Sequence, residues 1–245
     1  GANVDYYLPH RLYEGYGMNS EAIRKIKDAG TDLIITVDNG IAAVNEIELA
    51  KKLGMKVVVT DHHNCPDILP EPDALINPKR PGDVYPNKNL CGCGLIWRVL
   101  EVVFTKINAN IDYIYDLLAL VAVGTVADVM NLTDENRILV KEGLMATNAN
   151  VNLGLSSLMK IFNLEEVKAE DIGFKIGPCL NADGRLYDAQ QAVKLLITDN
   201  KKEAEEIAQY LYDVNSERKA LTLECFEKAE AYIRDNGLEN SRVMV

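Results

Sequence analysis

The sequence lacks long apolar runs, is poor in histidine and has an odd number of cysteines. No stretch reaches the roughly 18 apolar residues of a membrane span, and no basic segment followed by an apolar one indicates a signal peptide. Five cysteines without C-x-x-C spacing argue against a disulfide framework or a zinc ribbon. We interpret Cys91-Gly92-Cys93 as small residues that pack at a helix start. These absences predict a cytoplasmic protein with reduced thiols and no membrane partner.

Positive charge is scarce as well. The 26 lysines and arginines face 37 aspartates and glutamates, which leaves a net charge of −11. This negative net charge argues against an extended groove for nucleic acid, because such a groove needs a surface rich in lysine and arginine. A phosphate-bearing substrate would therefore need a local basic patch or a bound metal ion. With 48% hydrophobic residues, the 245-residue chain can form one large domain or two small ones.

The first 80 residues alternate short apolar runs with helical patterns. Strands are predicted at residues 4–8, 32–37, 55–60 and 74–76, with helices between Asn19 and Gly30 and at residues 43–53. This alternation predicts a parallel sheet. Strands that are apolar almost throughout are typical of a sheet covered on both faces.

From Leu90 onward the pattern becomes helical. Helices are predicted at residues 94–104, 112–123, 135–146 and 190–196, and a long one from about Lys201 to Arg234. Residues 241–245 then begin a strand-like run. The predicted fold class is therefore α/β, a parallel sheet flanked by helices, followed by a helical region and a long connecting helix.

Two of the three histidines stand together in Asp61-His62-His63, directly after the predicted strand at residues 55–60. Asp38 follows the neighbouring strand. Ligands of open parallel sheets bind beyond the carboxyl ends of the strands, so Asp38 and His62 are expected to meet there. Mixed carboxylate and imidazole ligands suit Mn²⁺, Mg²⁺ or Fe²⁺ better than a closed structural zinc site.

Each acid also has an ordinary interpretation. Asp38 precedes Asn39-Gly40 and fits a turn, while Asp61 fits a cap. Asp128, which ends the apolar run at residues 121–127, fits a cap or a solvated acid. Their joint occurrence with two adjacent histidines favours a metal site.

Three further segments suggest anion recognition. Pro9-His10-Arg11 precedes a glycine-containing loop, and residues 77–82 form a basic turn. Asn181-Ala182-Asp183-Gly184-Arg185 is predicted to be a second glycine-bearing loop, which places a guanidinium after a flexible glycine. Arginine suits bidentate contacts with phosphate. We expect function for Arg11 and Arg185, and surface salt bridges of small energetic value for Lys79 and Arg80.

In this order, the segments resemble the DHH phosphoesterase superfamily and, within it, the RecJ-type single-strand-specific exonucleases. The resemblance rests on residues 9–11 with 14–17, 36–40, 60–63, 77–82, 124–128 and 181–186. The Asp-His-His triplet alone indicates only the superfamily. The first, fourth and last segments point to the RecJ type.

The resemblance implies a 5′→3′ exonuclease that releases mononucleotides from single-stranded DNA with two Mn²⁺ or Mg²⁺ ions. By position, Asp38, His62 and Asp128 would be metal ligands. Asp61 would orient its neighbours, and His63 would stabilise charge on the scissile phosphate. Arg11 and Arg185 would bind substrate phosphate.

The resemblance also implies missing parts. The family's first motif, an Asp-x-Asp pair, would precede Val4, and its DHHA1 domain would follow the last residue. Residues 1–199 are therefore expected to be a DHH-type catalytic domain that is incomplete at its amino terminus. Residues 200–240 would be an interdomain helix, and residues 241–245 the start of a truncated domain.

Three expectations follow from the missing first strand and motif. The chain alone is expected to be inactive or nearly so, and to bind at most one metal ion weakly. It is also expected to self-associate through uncovered apolar sheet surface, because large apolar patches rarely persist on monomers.

Other functions stay open at this point. A DHH phosphodiesterase for short oligonucleotides or cyclic dinucleotides, or a pyrophosphatase, would share the metal site but not the basic segments. A non-catalytic replication scaffold is a further alternative. A nucleotide-binding loop at Gly92-x-Gly94 is weakly indicated, since the third glycine is lacking.

Overall fold

The computed structural model describes residues 2–11, 13–239 and 241. Its sheet-forming part contains helix α1 (Ser20–Asp28), strand β1 (Leu33–Val37), helix α2 (Val44–Lys52), strand β2 (Lys56–Thr60) and strand β3 (Ala74–Ile76). The three strands form one parallel sheet in the order β1-β2-β3. The predicted parallel sheet is therefore confirmed.

The carboxyl ends of the strands are in register. Val37 pairs with Thr60, and Thr60 with Ile76. The ladder extends one residue further, because the Asp38 amide donates to the Thr60 carbonyl and the Asp61 amide to the Ile76 carbonyl, both at 3.0 Å. The first residue after β1 and the first after β2 consequently lie at one edge of the sheet.

The sheet is covered unevenly. Val57 and Val59 of β2 are completely buried against the core formed with α1 and α2. On β1, Leu33, Ile35 and Val37 alternate along the strand and are 46%, 53% and 40% exposed. The prediction of a sheet covered on both faces therefore fits β2 and is wrong for β1.

The rest of the chain is helical. It comprises α3 (Gly92–Lys106), α4 (Asp112–Tyr115), α5 (Leu118–Ala127), α6 (Asp134–Asn148), α7 (Leu153–Ile161), α8 (Ala169–Asp171), a π-helical turn (Ile172–Ile176), α9 (Gly177–Leu186), α10 (Gln190–Ile197) and α11 (Lys201–Asp235). Helix α5 is apolar on nearly every side and lies in the centre of this part, where α3, α6, α9 and the π-helical turn all contact it.

The long helix is confirmed at Lys201–Asp235. The Asn200 side chain caps it by accepting from the Lys202 and Glu203 amides. Its first half packs into the core along one stripe, made of Ala204, Ile207, Ala208, Leu211 and Val214. Most of its second half is exposed. The predicted start of a further domain lies outside the described residues except for Ser241.

Three local predictions are wrong. Residues 4–8 form no strand, and residues 112–123 form parts of two helices rather than one. Residues 181–185 lie in helix α9 and not in a glycine loop. Although Asn, Asp and Gly favour turns locally, Pro178 stands in the first turn of α9, where proline is tolerated, and the buried Cys179 and Ala182 anchor the helix in the core.

Among the described residues, no helix combines the length and apolar character needed to cross a membrane. The five cysteines are free thiols.

Candidate metal-binding site

Three side chains from distant parts of the chain meet beyond the carboxyl edge of the sheet. His62 Nε2 lies 2.8 Å from Asp38 Oδ1 and 3.3 Å from Asp128 Oδ2. The imidazole is buried, whereas the two carboxylates are about half exposed. A buried nitrogen ligand therefore faces two oxygen ligands that are open to solvent on the other side.

Asp38 occupies a strained turn directly after β1. Its φ is +67°, in the left-handed region that residues other than glycine seldom adopt. The turn is fixed because the Thr36 hydroxyl donates to the Asn39 carbonyl at 2.7 Å and the Asn39 amide group to the Val37 carbonyl at 3.0 Å. Asp38 is thus both a turn residue and a member of the candidate site, because the turn directs its carboxylate toward His62.

Asp128 caps the carboxyl end of α5, where its amide donates to the Gly124 carbonyl at 3.0 Å. The helix dipole disfavours an anion at this end. Burial raises the pKa of Asp128, with a further contribution from the charge of Asp38, while His62 opposes the rise. A cation at this position would relieve both unfavourable effects.

The environment of His62 fits a divalent cation. The adjacent Asp38 carboxylate raises the pKa of His62, burial opposes that rise, and Asp128 adds to it. The carboxylates are close but do not have hydrogen-bond geometry, and both ring nitrogens lack a hydrogen-bond partner among the described residues. Buried polar atoms are rarely left unpaired. An imidazole with two carboxylates is a donor set suited to Mn²⁺ and similar ions.

Asp61 is buried beneath the same edge and binds both histidines. Its Oδ1 accepts from the amides of His62 (2.7 Å) and His63 (3.1 Å) and contacts His63 Nδ1 at 2.7 Å, while Oδ2 accepts from the Ile41 amide at 2.9 Å. Burial acts to raise the pKa of Asp61, but the bonds from Ile41 and His63 outweigh it and hold the pKa below its ordinary value.

His63 is mostly exposed. Because its Nδ1 faces Asp61, its Nε2 is left for other partners. One ligand atom each from Asp38, His62 and His63 lies within 4.8 Å of the others. His63 is therefore part of the same cluster, alongside Asp128.

The start of α3 is a part of the site that the sequence interpretation did not connect with Asp38. Cys91 caps the helix through its sulfur, which accepts from the Gly94 amide at 3.3 Å. A Cβ added to Gly92 would lie 2.5 Å from Asp38 Cβ. Small residues do pack at this helix start, as predicted. What they pack against is the metal-site loop, for which the sequence carries no separate signal.

Lys79 is also closer to the site than expected. Its charge acts on both His62 and Asp128. The buried Asn77 joins this turn to the histidines, since its Oδ1 accepts from the Lys79 amide at 2.8 Å and its Nδ2 donates to the His63 carbonyl at 3.0 Å. Neither Lys79 nor Arg80 forms an ion pair within residues 2–11, 13–239 and 241, so the salt-bridge interpretation is wrong for both.

Each of the two predicted phosphate ligands lies near a different part of this cluster. Arg11 is exposed, and its guanidinium carbon is 4.4 Å from the Tyr16 ring centroid. A Cβ added to Gly17 in the same loop would lie 3.8 Å from Asn39 Cβ, so the loop borders the Asp38 turn. Arg185 lines a cavity of about 220 Å³ that reaches Ala127.

Comparison with known proteins shows the family to which the chain belongs. Residues 1–125 match the DHH family, N-terminal domain. The chain is 39% identical over 246 residues to the single-stranded-DNA-specific exonuclease RecJ of Bacillus subtilis (strain 168), covering 100% of this chain and 30% of that protein. It is 38% identical over 253 residues to RecJ of Escherichia coli (strain K12), covering 98% and 44%. The chain thus spans less than half the length of these relatives.

Solved structures show the same fold. A crystal structure of exonuclease RecJ bound to manganese matches with a TM-score of 0.83 and 33% identity over 91% of this chain and 56% of that one. RecJ in complex with Mn²⁺ from Thermus thermophilus matches with a TM-score of 0.77 and 31% identity, over 91% and 32%. These matches confirm the resemblance inferred from the motifs, and the chain belongs to the DHH family.

Proposed function

We propose that this chain belongs to a metal-dependent exonuclease that degrades single-stranded DNA in the 5′→3′ direction. The observation that carries the proposal is the convergence of His62 with Asp38 and Asp128 at the carboxyl edge of a parallel sheet. Support for the substrate comes from the similarity to RecJ exonucleases of two bacteria. Support for the metal comes from two similar structures that hold manganese.

Asp38, His62 and Asp128 would hold Mn²⁺ or Mg²⁺. A divalent ion bound there would neutralise charge on the phosphate oxygens and activate a water molecule to attack phosphorus. The chain itself positions these donors, because the Asp38 turn and the carboxyl end of α5 hold the two carboxylates 2.8 Å and 3.3 Å from His62 Nε2. Two ions are proposed for the intact protein.

Asp61 and His63 would act together on the substrate side. Asp61 fixes the ring of His63 through Nδ1 and holds the loop through two backbone amides. His63 then presents Nε2 to the scissile phosphate, where it would stabilise developing negative charge. Asp61 is a positioning residue in this proposal, and His63 is the group that touches substrate.

Arg11 and Arg185 would bind backbone phosphates on either side of the scissile one. Contacts to phosphate and stacking on bases are tolerant of sequence, so little preference for base identity is expected. The positive charges of Arg11, Lys79 and Arg185 would supply the local basic patch that an overall acidic chain needs in order to bind DNA.

A second copy of this chain is the proposed partner for the open face of β1. Leu33, Ile35 and Val37 expose their side chains along this strand, and apolar side chains in one row favour association.

Three further expectations stay predictions. They are the domain boundaries at residues 199 and 240, the cytoplasmic location and the low activity of the chain alone.

Manganese binding tests the site directly. Titration of the 245-residue chain with Mn²⁺, followed by electron paramagnetic resonance of the free ion, is expected to show binding that Asp38→Asn weakens at least about tenfold. Asp199→Asn is the matched control, because Asp199 is exposed and far along the chain from the cluster. Equal affinities of the two variants would refute the proposed ligands.

Nucleic-acid specificity tests the substrate. With Mn²⁺ present, fluorescence anisotropy should show tighter binding to a 5′-phosphorylated single strand than to a duplex or a cyclic dinucleotide. Preference for the dinucleotide would instead support a DHH phosphodiesterase, and absence of metal binding would support a scaffold. Slow release of mononucleotides from the single strand is expected, whereas robust turnover would contradict only the prediction of low activity.

A further inference from the structure

The cavity that contains Arg185 has a second guanidinium, supplied by the long helix. Its lining consists of Ala127, Gly173, Gly177, Pro178, Asn181, Arg185 and Arg218. Arg185 belongs to α9, while Arg218 lies in α11, 33 residues further along the chain. The cavity therefore combines two positive charges and one amide group from two packed helices.

Among the described residues, no acid offsets the charge of either guanidinium, Arg185 or Arg218, through an ion pair. The nearest acids in sequence are engaged elsewhere, since Glu217 accepts from the Tyr187 hydroxyl at 2.9 Å and Asp183 from the Tyr210 hydroxyl at 3.0 Å. In a chain with a net charge of −11, two unpaired arginines at one cavity are an unusual concentration of positive charge.

Arg218 is also held in place. Its Nε and Nη2 both donate to Asn215 Oδ1 at 3.2 Å, and Asn215 is buried. An uncharged amide orients the guanidinium without offsetting its charge. Orientation before binding lowers the entropic cost of the contact.

The two helices are tied together next to the cavity. The hydrogen bond from Tyr210 to Asp183 joins α11 to α9, and the bond from Tyr187, the residue directly after α9, to Glu217 joins the end of α9 to α11. Arg218 directly follows Glu217, and Asp183 lies two residues before Arg185, so both bonds lie close in sequence to the arginines that line the cavity.

The opposite wall is made of small residues around the π-helical turn. A Cβ added to Gly177 would lie 2.9 Å from the Ile172 carbonyl oxygen and 3.1 Å from Ala127 Cβ, which shows how closely the turn approaches α5. Single π-helical turns often occur at functional sites. Ala127 directly precedes Asp128, so the cavity adjoins the proposed metal site.

We propose that Arg185, Arg218 and Asn181 form one pocket for a backbone phosphate of the DNA strand next to the scissile group. This proposal rests on the proposed nuclease function and adds Arg218, and with it the long helix, to the substrate-binding surface. The volume of about 220 Å³ suits a phosphate with its sugar and is smaller than the roughly 300–1,000 Å³ typical of ligand pockets. Arginine forks match phosphate oxygens in geometry and charge.

The test measures binding of the full chain to a 5′-phosphorylated single-stranded oligonucleotide by fluorescence anisotropy over a range of salt concentrations. Arg218→Gln is expected to weaken binding about tenfold or more and to reduce the salt slope by about 0.7, the value for one lost phosphate contact on a single strand. Arg218→Lys should give an intermediate loss, because it keeps the charge but not the fork.

Arg234→Gln is the matched control, since it makes the same charge change at an exposed position of the same helix. Equal losses in Arg218→Gln and Arg234→Gln would overturn the pocket. The double variant of Arg185 and Arg218 should lose less than the product of the two single losses, because the two residues share one phosphate. Losses that multiply fully would show two separate contacts and overturn the shared pocket.

Manganese affinity separates this inference from the proposed function. Arg218→Gln is expected to leave Mn²⁺ binding and the thermal midpoint close to those of the unchanged chain. If the unchanged chain fails to bind single strands in the presence of Mn²⁺, the nuclease proposal fails. If it binds them and Arg218→Gln binds equally well, only the pocket fails.

Discussion

The metal cluster at the sheet edge and the arginine cavity beside α5 are built in opposite ways. At the sheet edge, acidic side chains surround a buried imidazole that follows a short strand. In the cavity, two cations come from helices that pack through a common apolar core and are also joined by tyrosine hydrogen bonds. Ala127 and Asp128, adjacent residues at the end of α5, belong to one site each.

The contrast shows two ways in which an acidic chain can bind a polyanion. Carboxylates gathered around His62 attract a divalent cation, which in turn can attract phosphate. The arginines attract phosphate directly. Because α5 joins the two regions, a rigid helix sets their separation, and changes in one region should affect its own ligand first.

The largest effect is expected from removing the carboxylate that supports the sheet-edge site. Asp61→Ala leaves the amides of Ile41, His62 and His63 without their acceptor in a buried place. Unfolding in urea should show a loss of about 3 kcal/mol or more. Asp67→Ala, at an exposed position, should change stability by less than about 0.5 kcal/mol. Similar losses of stability in the two variants would mean that the hydrogen bonds to Asp61 contribute little to the free energy of unfolding.

A glycine substitution in α3 tests whether the sheet-edge site depends on packing from the helical part. Gly92→Ala puts a Cβ 2.5 Å from Asp38 Cβ and 2.9 Å from its Oδ1. We expect a stability loss of about 1–3 kcal/mol and Mn²⁺ affinity lowered about tenfold, measured by titration. Gly94→Ala is the control two residues away, where the nearest contact is the end of the flexible Leu90 side chain. Unchanged affinity in Gly92→Ala would show that Asp38 is not held by this contact.

The tie between α9 and α11 tests the cavity alone. Tyr210→Phe removes the donor to Asp183, whose other oxygen is already unpaired among the described residues. Stability should fall by about 1–2 kcal/mol, and single-strand affinity severalfold, with Mn²⁺ affinity unchanged. Tyr232→Phe, on the exposed part of the same helix, should have no effect. A loss of manganese binding in Tyr210→Phe would contradict the separation of the two regions.

The same variant has a pH dependence. Burial raises the pKa of Asp183, and the bond from Tyr210 partly opposes it. Since the folded state then holds its proton more tightly than the unfolded chain, stability falls as pH rises from the unfolded pKa, about 3.9, through the folded value. Tyr210→Phe raises the folded pKa further. Its stability penalty, measured by urea unfolding across pH, should therefore be smallest below about pH 4 and larger at neutral pH; a constant penalty would contradict this account.

The smallest effect on stability is expected at the open face of β1. Ile35→Lys should change the free energy of unfolding by less than about 0.5 kcal/mol, because Ile35 is 53% exposed. It should nevertheless reduce self-association of the chain in sedimentation at high concentration. Ile68→Lys, at an exposed position away from β1, is the control. A monomeric unchanged chain at high concentration would contradict the proposed self-association.

Much of the metal site could be predicted because it depends on local rules. Asp38 and His62 each follow an apolar strand, and parallel strands bring their carboxyl ends to one edge. Asp128 was a candidate because it ends the apolar run at residues 121–127, and the family resemblance implied its role as a metal ligand. The long helix was predictable from its apolar stripe.

The rest depended on contacts between segments that are distant in the chain. Local composition predicted a glycine-bearing loop at residues 181–185, yet these residues are helical and the helix is anchored by the buried Cys179 and Ala182. Likewise, nothing in the sequence around Gly92 indicates that a side chain at this position would collide with Asp38.

Short periodic or contiguous sequence patterns are enough to identify the strands of the sheet, the acids and histidines that follow them, and the family. The open face of β1, the close contact of α3 with the Asp38 turn and the shared cavity of Arg185 and Arg218 became visible only in the folded chain. Packing of whole elements against each other selects such contacts, and packing depends on every buried surface at once.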